Sequence, residues 1–264
     1  MMKRTVWSLV CLICMAALCG TLRAETIKGN GKVITKEYQF ADFDKISFVG
    51  SAEFTYEQSE ATPSVTVTID ENLLPYLEVK VKGSELHVGP KTEGMLGRSK
   101  DLRPTVFKIK GNSKALEEVN LAGSGSFKAD QMVRTKELEL NLSGSGTMCV
   151  EMLQADELEG NLAGSGNLVV KGKVREAKYN VAGSGDVKAE DCESEEVEGN
   201  VAGSGNLEVY AVRELTGNIV GSGDLEAYAT RKLKGNIVGS GDIYYKGDPK
   251  VESSCLGSGK VKKK

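Results

Sequence analysis

The chain has 264 residues, 40% hydrophobic and only 6% aromatic, enough for one long domain or two ordinary ones. Glycine is enriched, at 31 residues, but it does not recur at every third position, which excludes a collagen-like helix. The formal net charge is −3, and the one basic run, Lys260, Lys262, Lys263 and Lys264, reads as a solvated tail, so no nucleic-acid partner is expected.

The first 24 residues read as a signal peptide. Lys3 and Arg4 form a positive start, residues 6–18 are apolar, and Leu22-Arg23-Ala24 ends in the small residue that signal peptidase prefers. The apolar stretch is short for a membrane span, and no transmembrane span is expected in the mature chain. Cleavage after Ala24 removes three basic residues, leaving 31 basic against 37 acidic side chains and a mature charge of −6. An anchor through Cys19 is the alternative, but the preceding Ala16-Ala17-Leu18 places a bulky Leu where a lipobox wants a small residue. Export to the periplasm, the cell surface or the medium is expected.

Residues 25–110 read as a β region. Phe43, Ile46 and Phe48 precede Gly50-Ser51-Ala52, and Phe54 and Tyr56 alternate after it. Val65-Thr66-Val67-Thr68-Ile69, Leu77-Glu78-Val79-Lys80-Val81 and Leu86-His87-Val88 are further strands. Residues 70–75 suggest a short helical turn. Residues 89–104, rich in Gly, Lys, Ser and Pro, suggest an exposed loop.

Residues 111–264 are built from repeats. Gly-Ser-Gly begins at Gly123, Gly144, Gly164, Gly183, Gly203, Gly221, Gly239 and Gly257, at steps of 18 to 21 residues. Three residues before seven of these triplets stands an asparagine, from Asn120 to Asn236, and Ser254 breaks the series. Two before stand Leu121, Leu142, Leu162, Val181, Val201, Ile219, Ile237 and Cys255, and four after stand Phe127, Met148, Leu168, Val187, Leu207, Leu225, Ile243 and Val261. Apolar residues at −6, −2, +4 and usually +6 alternate with polar ones, the mark of strands with one face in a core.

Strands that meet a tight glycine turn every 18 to 21 residues predict the coils of an all-β, parallel solenoid, two strands to a coil. The triplet makes one corner, and a polar stretch such as Ala229-Thr230-Arg231-Lys232 makes the other. Asparagines and triplet serines would stack on their copies, and Gly160, Gly199, Gly217 and Gly235 at −4 predict a thin core there. Gly50-Ser51-Ala52 is a worn copy of the corner. No linker separates the halves, so one continuous domain is expected, with the N-terminal strands capping the solenoid.

These repeats, in forms such as Gly217-Asn218-Ile219-Val220-Gly221-Ser222-Gly223, resemble the GIN head-domain family of auto-transporter adhesins, secreted β-helical proteins of Bacteroidota. The likeness runs from about Phe40 to Val261 and includes Asp70-Glu71-Asn72-Leu73-Leu74. It implies a superhelix of two sheets joined at the triplets and a role in adhesion. It implies no catalytic residues, and no transmembrane β-barrel segment is evident after the repeats.

No residue pattern calls for an enzyme, a cofactor or a metal. The equivalent triplet serines are architecture, and His87 is the sole imidazole. Cys149, Cys192 and Cys255 are odd in number and widely spaced, unlike a disulfide scaffold or a zinc site. By the repeat, Cys255 should be in the core, Cys149 should point outward, where it could link two copies as a homo-oligomer, and Cys192 should sit near a turn. Asp186, Asp224 and Asp242 share position +3 with Asn167 and Asn206. Stacked Asp224 and Asp242 could hold calcium or act as acid and base, while the plainer reading is turn-exit hydrogen bonding. Tyr210 and Tyr228 at +7 and Tyr244 at +5 should face outward as a contact surface for a glycan or a cell-surface protein, or else pack across coils. The expected function is an exported, non-enzymatic binding or adhesion module. The alternatives are a structural envelope protein without a ligand and, more distantly, a polysaccharide-active enzyme.

Overall fold

The path of the chain is set at its glycine corners. In a computed structural model, which describes residues 25–93 and 98–264, each coil runs into a triplet on one sheet and leaves it on a second, and the two sheets face each other across a continuous core. Residues 1–24, the expected signal peptide with Cys19, lie outside the described residues.

Both triplet glycines have a physical reason. Gly144 has φ 124°, a backbone conformation that L side chains rarely adopt, and a Cβ there would lie 2.4 Å from Gly123 O. A Cβ on Gly146 would lie 2.5 Å from Gly125 O. Successive corners touch backbone to backbone, and Ser145 N donates to Gly123 O at 3.0 Å, carrying the hydrogen-bond ladder around the bend.

We call the strands that run into a corner inbound and those that leave it outbound. The N-terminal strands are β1 (Thr26–Lys28), β2 (Val33–Gln39), β3 (Lys45–Gly50), β4 (Glu53–Gln58), β5 (Ser64–Asp70), β6 (Leu77–Lys82), β7 (Glu85–Pro90), β8 (Thr92–Glu93), β9 (Arg98–Ser99), β10 (Asp101–Arg103) and β11 (Phe107–Ser113). The repeats follow as β12 (Glu118–Gly123), β13 (Ser126–Arg134), β14 (Glu137–Gly144), β15 (Thr147–Gly164), β16 (Asn167–Gly183), β17 (Asp186–Gly203), β18 (Leu207–Gly221), β19 (Leu225–Tyr228), β20 (Lys232–Gly239), β21 (Ile243–Lys246), β22 (Lys250–Gly257) and β23 (Val261–Lys263).

All pairings among the repeats are parallel, and the corners are in register, with Gly123 opposite Gly144 and Gly144 opposite Gly164. In the middle coils the second corner is no break in pairing. β15, β16 and β17 run through it as single strands of 17 or 18 residues, bent by bulges near Gly172 and Cys192. The strands break at this corner in the first repeat coil, at residues 135–136, and in the last two, at residues 229–231 and 247–249.

The asparagines form the predicted ladder. Asn141 donates to Asn120, Asn161 to Asn141, Asn180 to Asn161, Asn200 to Asn180, Asn218 to Asn200 and Asn236 to Asn218, all at 2.7–2.9 Å. Each amide oxygen and one N–H are spent along the stack, which satisfies groups that would be costly to leave unpaired in a half-buried row. The core at −4 is filled from the neighbouring coil. Tyr179 is buried between Gly160 and Gly199, and a Cβ on Gly160 would sit 2.9 Å from its ring.

The worn corner is a true one. Gly50 lies opposite Gly123 with φ 118°, and β3 and β4 form a coil in register with β12 and β13. Beyond it the parallel order gives way to antiparallel pairs. On the inbound sheet β7 pairs with β3 and then with antiparallel β6, and on the outbound sheet β11 pairs with β4, then antiparallel β5, then β2. The outermost β2 is exposed and carries Lys36 and Glu37, charges that blunt an edge.

Three expectations change. The stretch 89–104 is partly paired: Asp101–Arg103 joins β1 in parallel, and β8 pairs with β9. Cys255 and Val251, core positions by the repeat, are exposed because β22 pairs on one side only, with β20. Cys192 is buried in the core at the bulge opposite Gly172. The helical turn is present as a 3-10 turn at Leu74–Tyr76, entered through residues 71–73.

Candidate functional site

Outward positions of the outbound sheet form two columns, +5 and +7. Column +5 runs Lys188, Glu208, Glu226, Tyr244 and Lys262, and column +7 brings Tyr210, Tyr228 and Lys246 into register. Tyr210 and Tyr228 are half-buried, with ring centroids 4.8 Å apart and planes within 4°. The stack follows from the rung spacing of a parallel sheet, which sets identical side chains one ring thickness plus an offset apart.

A cavity of 360 Å³ lies against this stack, lined by Glu190, Glu208, Tyr210, Glu226, Tyr228 and Lys246. Its size suits a small ligand. Glu190 leans in because the bulge at residues 190–192 displaces it from strict register, and its hydrogen bond to the Glu208 carboxyl, together with burial, raises the Glu208 pKa to about 7. Lys188 opposes that shift. Glu226 is held below the usual carboxylate range by Lys264 and Lys246. None of these carboxylates was singled out by sequence, although aligning column +5 shows Glu208 and Glu226 on adjacent rungs.

Tyr244 is on the same face but outside the stack. It is the rung neighbour of Glu226, donates its hydroxyl to Asp242 Oδ2 at 2.9 Å, and has Lys262 and Lys264 over its ring at 5.3 and 4.9 Å. The structure thus brings two of the three tyrosines together and sets the third beside them under two ammonium groups.

The +3 acids form a turn-exit ladder. Asp186 Oδ1 accepts from Asn206 N, Asn206 Oδ1 from Asp224 N, Asp224 Oδ1 from Asp242 N and Asp242 Oδ1 from Lys260 N, at 2.7–3.2 Å. Asp242 Oδ2 also accepts from Lys262 Nζ at 2.5 Å. Those oxygens are engaged with the chain itself, which leaves Asp224 and Asp242 poorly placed to share a cation. Among the described residues no group of three or more His, Cys, Asp or Glu side chains could hold a metal ion.

Cys149 is half-buried, and its thiol donates to Glu151 at 3.2 Å. Burial and that hydrogen bond push its pKa to about 11, so the reactive thiolate is scarce. His87 is on β7, opposite Ser47 of the worn coil, and 4.0 Å from Glu78. Among the described residues no helix is long and apolar enough to cross a membrane.

The comparisons with known proteins agree with this architecture. The family model described as "Putative auto-transporter adhesin, head GIN domain" matches residues 42–228 and 213–249. Among solved structures, a "putative lipid binding protein" from Parabacteroides distasonis ATCC 8503 is 41% identical, with a TM-score of 0.75 over 91% of this chain and 100% of that one. A "putative adhesin" from Parabacteroides merdae ATCC 43184 is 33% identical, with a TM-score of 0.68 over the same shares. A second "putative adhesin" from Parabacteroides distasonis ATCC 8503 is 30% identical, with a TM-score of 0.64, again over 91% and 100%. No curated protein matches the chain. With more than half of its length matched by the family model and three relatives of 30% identity or more spanned in full, the chain belongs to the auto-transporter adhesin head GIN-domain family.

Proposed function

We propose that the chain is an exported, non-enzymatic binding module of the adhesion type, which meets a glycan or cell-surface protein through the outbound face around Tyr210 and Tyr228. The observation that carries this reading is the stacked tyrosine pair beside a 360 Å³ cavity walled by carboxylates. Aromatic rings offer flat apolar area with a polar tip, and carboxylate oxygens accept hydrogen bonds from sugar hydroxyls. Tyr244 with its two lysines extends the contact surface along the next rung. The positively charged start and apolar stretch of residues 1–24 support export.

Catalysis fits the same groups poorly. Glycoside hydrolysis needs two carboxyl groups about 5–9.5 Å apart, flanking the bond to be cut. Glu190 is close enough to Glu208 to share its proton, and Asp224 and Asp242 spend an oxygen each on backbone N–H groups. The test is a glycan array with the exported chain and its Tyr210→Ala/Tyr228→Ala variant, run beside a hydrolysis assay on pectin-like polymers. Selective binding lost in the variant, with no hydrolysis, supports the reading. Absence of binding to glycans and to intact cells would favour a structural envelope protein without a ligand.

A further inference from the structure

The outward side of the inbound sheet changes sign along the solenoid. Seven residues before successive triplets stand Glu137, Glu157, Glu176, Glu196 and Glu214, followed by Lys232 and Lys250, each in register with the next. Like charges on adjacent rungs repel; Arg175 beside Glu157 and Glu176, and Arg231 beside Glu214, offset only part of that cost, and the fold does not require the row, since the position faces water. The asymmetry is general. Residues 115–228 carry 21 acidic and nine basic side chains, whereas residues 229–264 carry three acidic and nine basic. The sign reverses between the rung of Glu214 and the rung of Lys232.

A second gradient runs on the same face beside the corner. One residue before successive triplets stand Ala163, Ala182, Ala202, Val220, Val238 and Leu256, in register. The last three are 58%, 48% and 73% exposed, large aliphatic side chains held in water. Small residues therefore accompany the rungs of Glu157, Glu176 and Glu196, and large ones begin on the rung of Glu214 and continue over those of Lys232 and Lys250.

We propose that this face docks on a second copy of the chain. The two copies would be related by a two-fold axis that lies in the interface, parallel to the strands, between the rungs of Glu214 and Lys232. Such an axis keeps each column opposite its own copy and reverses the order of the rungs. Glu214 then faces Lys232 of the second copy and Glu196 faces Lys250. Val220 meets Val238, and the small Ala202 accommodates Leu256. The same operation repeats every contact twice, as a closed two-fold interface requires. Moving the axis onto either central rung sets Lys232 against Lys232 or Glu214 against Glu214, so the charge pattern selects one register. One pair is unfavourable, Glu198 with Glu252, and Glu252 is already held between Lys232 and Lys250 of its own chain at 3.5 and 3.3 Å.

The expected strength follows from area. Four rungs of about 4.8 Å and eight residues of about 3.3 Å give about 500 Å² per copy, about 1,000 Å² in total, at the lower bound of specific interfaces. The dimer is therefore weak and salt-sensitive. It leaves the outbound face with Tyr210 and Tyr228 free on both copies.

Sedimentation equilibrium of the exported chain tests the proposal, at about 0.05 M and about 0.5 M salt, conditions that differ severalfold in screening. The expected result is twice the chain mass at low salt and the single mass at high salt. Val220→Asp with Val238→Asp should give the single mass at low salt with an unchanged melting temperature, since both side chains are exposed. Glu214→Lys alone and Lys232→Glu alone should each abolish the dimer, and the two together should restore it. A monomer at low salt, a dimer indifferent to these changes, or recruitment to phosphatidylglycerol vesicles with the mass still monomeric would overturn the proposal.

Discussion

Tyr210 and Tyr228 stack across consecutive coils, in register, with parallel rings 4.8 Å apart. Each ring gives one face to the other, and the rung beyond Tyr228 carries Lys246. Such a pair contributes about 0.5–1.5 kcal/mol beyond its buried area. A double-mutant cycle of Tyr210→Ala and Tyr228→Ala, read by urea unfolding, should return a coupling of that size. Additive costs would mean that the rings stack without stabilising one another.

Glu208 makes stability fall as pH rises. Its folded pKa of about 7 lies above the ordinary value of 4.5, because the Glu190 hydrogen bond, burial and the Glu190 charge favour the protonated form. Between those values the folded chain holds a proton that the unfolded chain has lost, so unfolding free energy declines with pH across that window and is unaffected below it. Glu208→Gln should therefore raise the melting temperature near pH 8 and leave it unchanged near pH 4, by scanning calorimetry. A variant equally stable or less stable near pH 8 would refute the shared-proton account.

Asp70 has the opposite sign. It is buried, and its oxygens accept from Gly31 N, Thr105 N and Thr105 Oγ1 at 2.7–2.8 Å, tying β5 to the segments before β2 and before β11. Burial alone would raise its pKa, but the hydrogen bonds from Thr105, Gly31 and Val106 outweigh it and the net shift is downward from 3.8. Its contribution is present above the unfolded value and is lost as pH falls through the lower folded value. Asp70→Asn should cost about 1–3 kcal/mol near neutral pH and less in strong acid, in chemical denaturation. An equal cost at both would contradict the assignment.

The asparagine ladder should resist interruption. Asn180 donates to Asn161 and accepts from Asn200, so Asn180→Ala strands one donor and one acceptor in a half-buried row. The expected loss is about 1–3 kcal/mol. Asn206→Ala, in the exposed turn-exit row, should cost less. Equal costs would mean the ladder is decoration.

Much of this was readable in the repeats, because a rung spacing turns each triplet offset into a spatial column. The corners, the asparagine row, the outward tyrosines and, short of the exposed Val251 and Cys255 of the last coil, the −6, −2 and +4 core positions follow from that rule. What escaped lies where the rule fails. β2, β5 and β11 pair antiparallel across distant segments that have no repeat to align them. β10 hides in a Gly- and Pro-rich stretch because its partner, β1, is three residues long. Glu190 reaches Glu208 through a bulge, which strict offset counting skips. Leu168 and Tyr179 fill the space left by Gly160, and Leu207 and Leu225 that left by Gly199, so a core read as thin is instead plugged by its neighbours, with the Tyr179 hydroxyl left without an oxygen or nitrogen partner beside the Cys192 thiol.

The outbound face is the proposed binding surface. Its most direct test is adhesion of the purified chain without residues 1–24 to a glycan array and to intact cells, wild type against Tyr210→Ala/Tyr228→Ala, with the fold checked by circular dichroism. The expected result is selective binding that the double variant loses while keeping its β spectrum. Binding that survives the loss of both rings would contradict it.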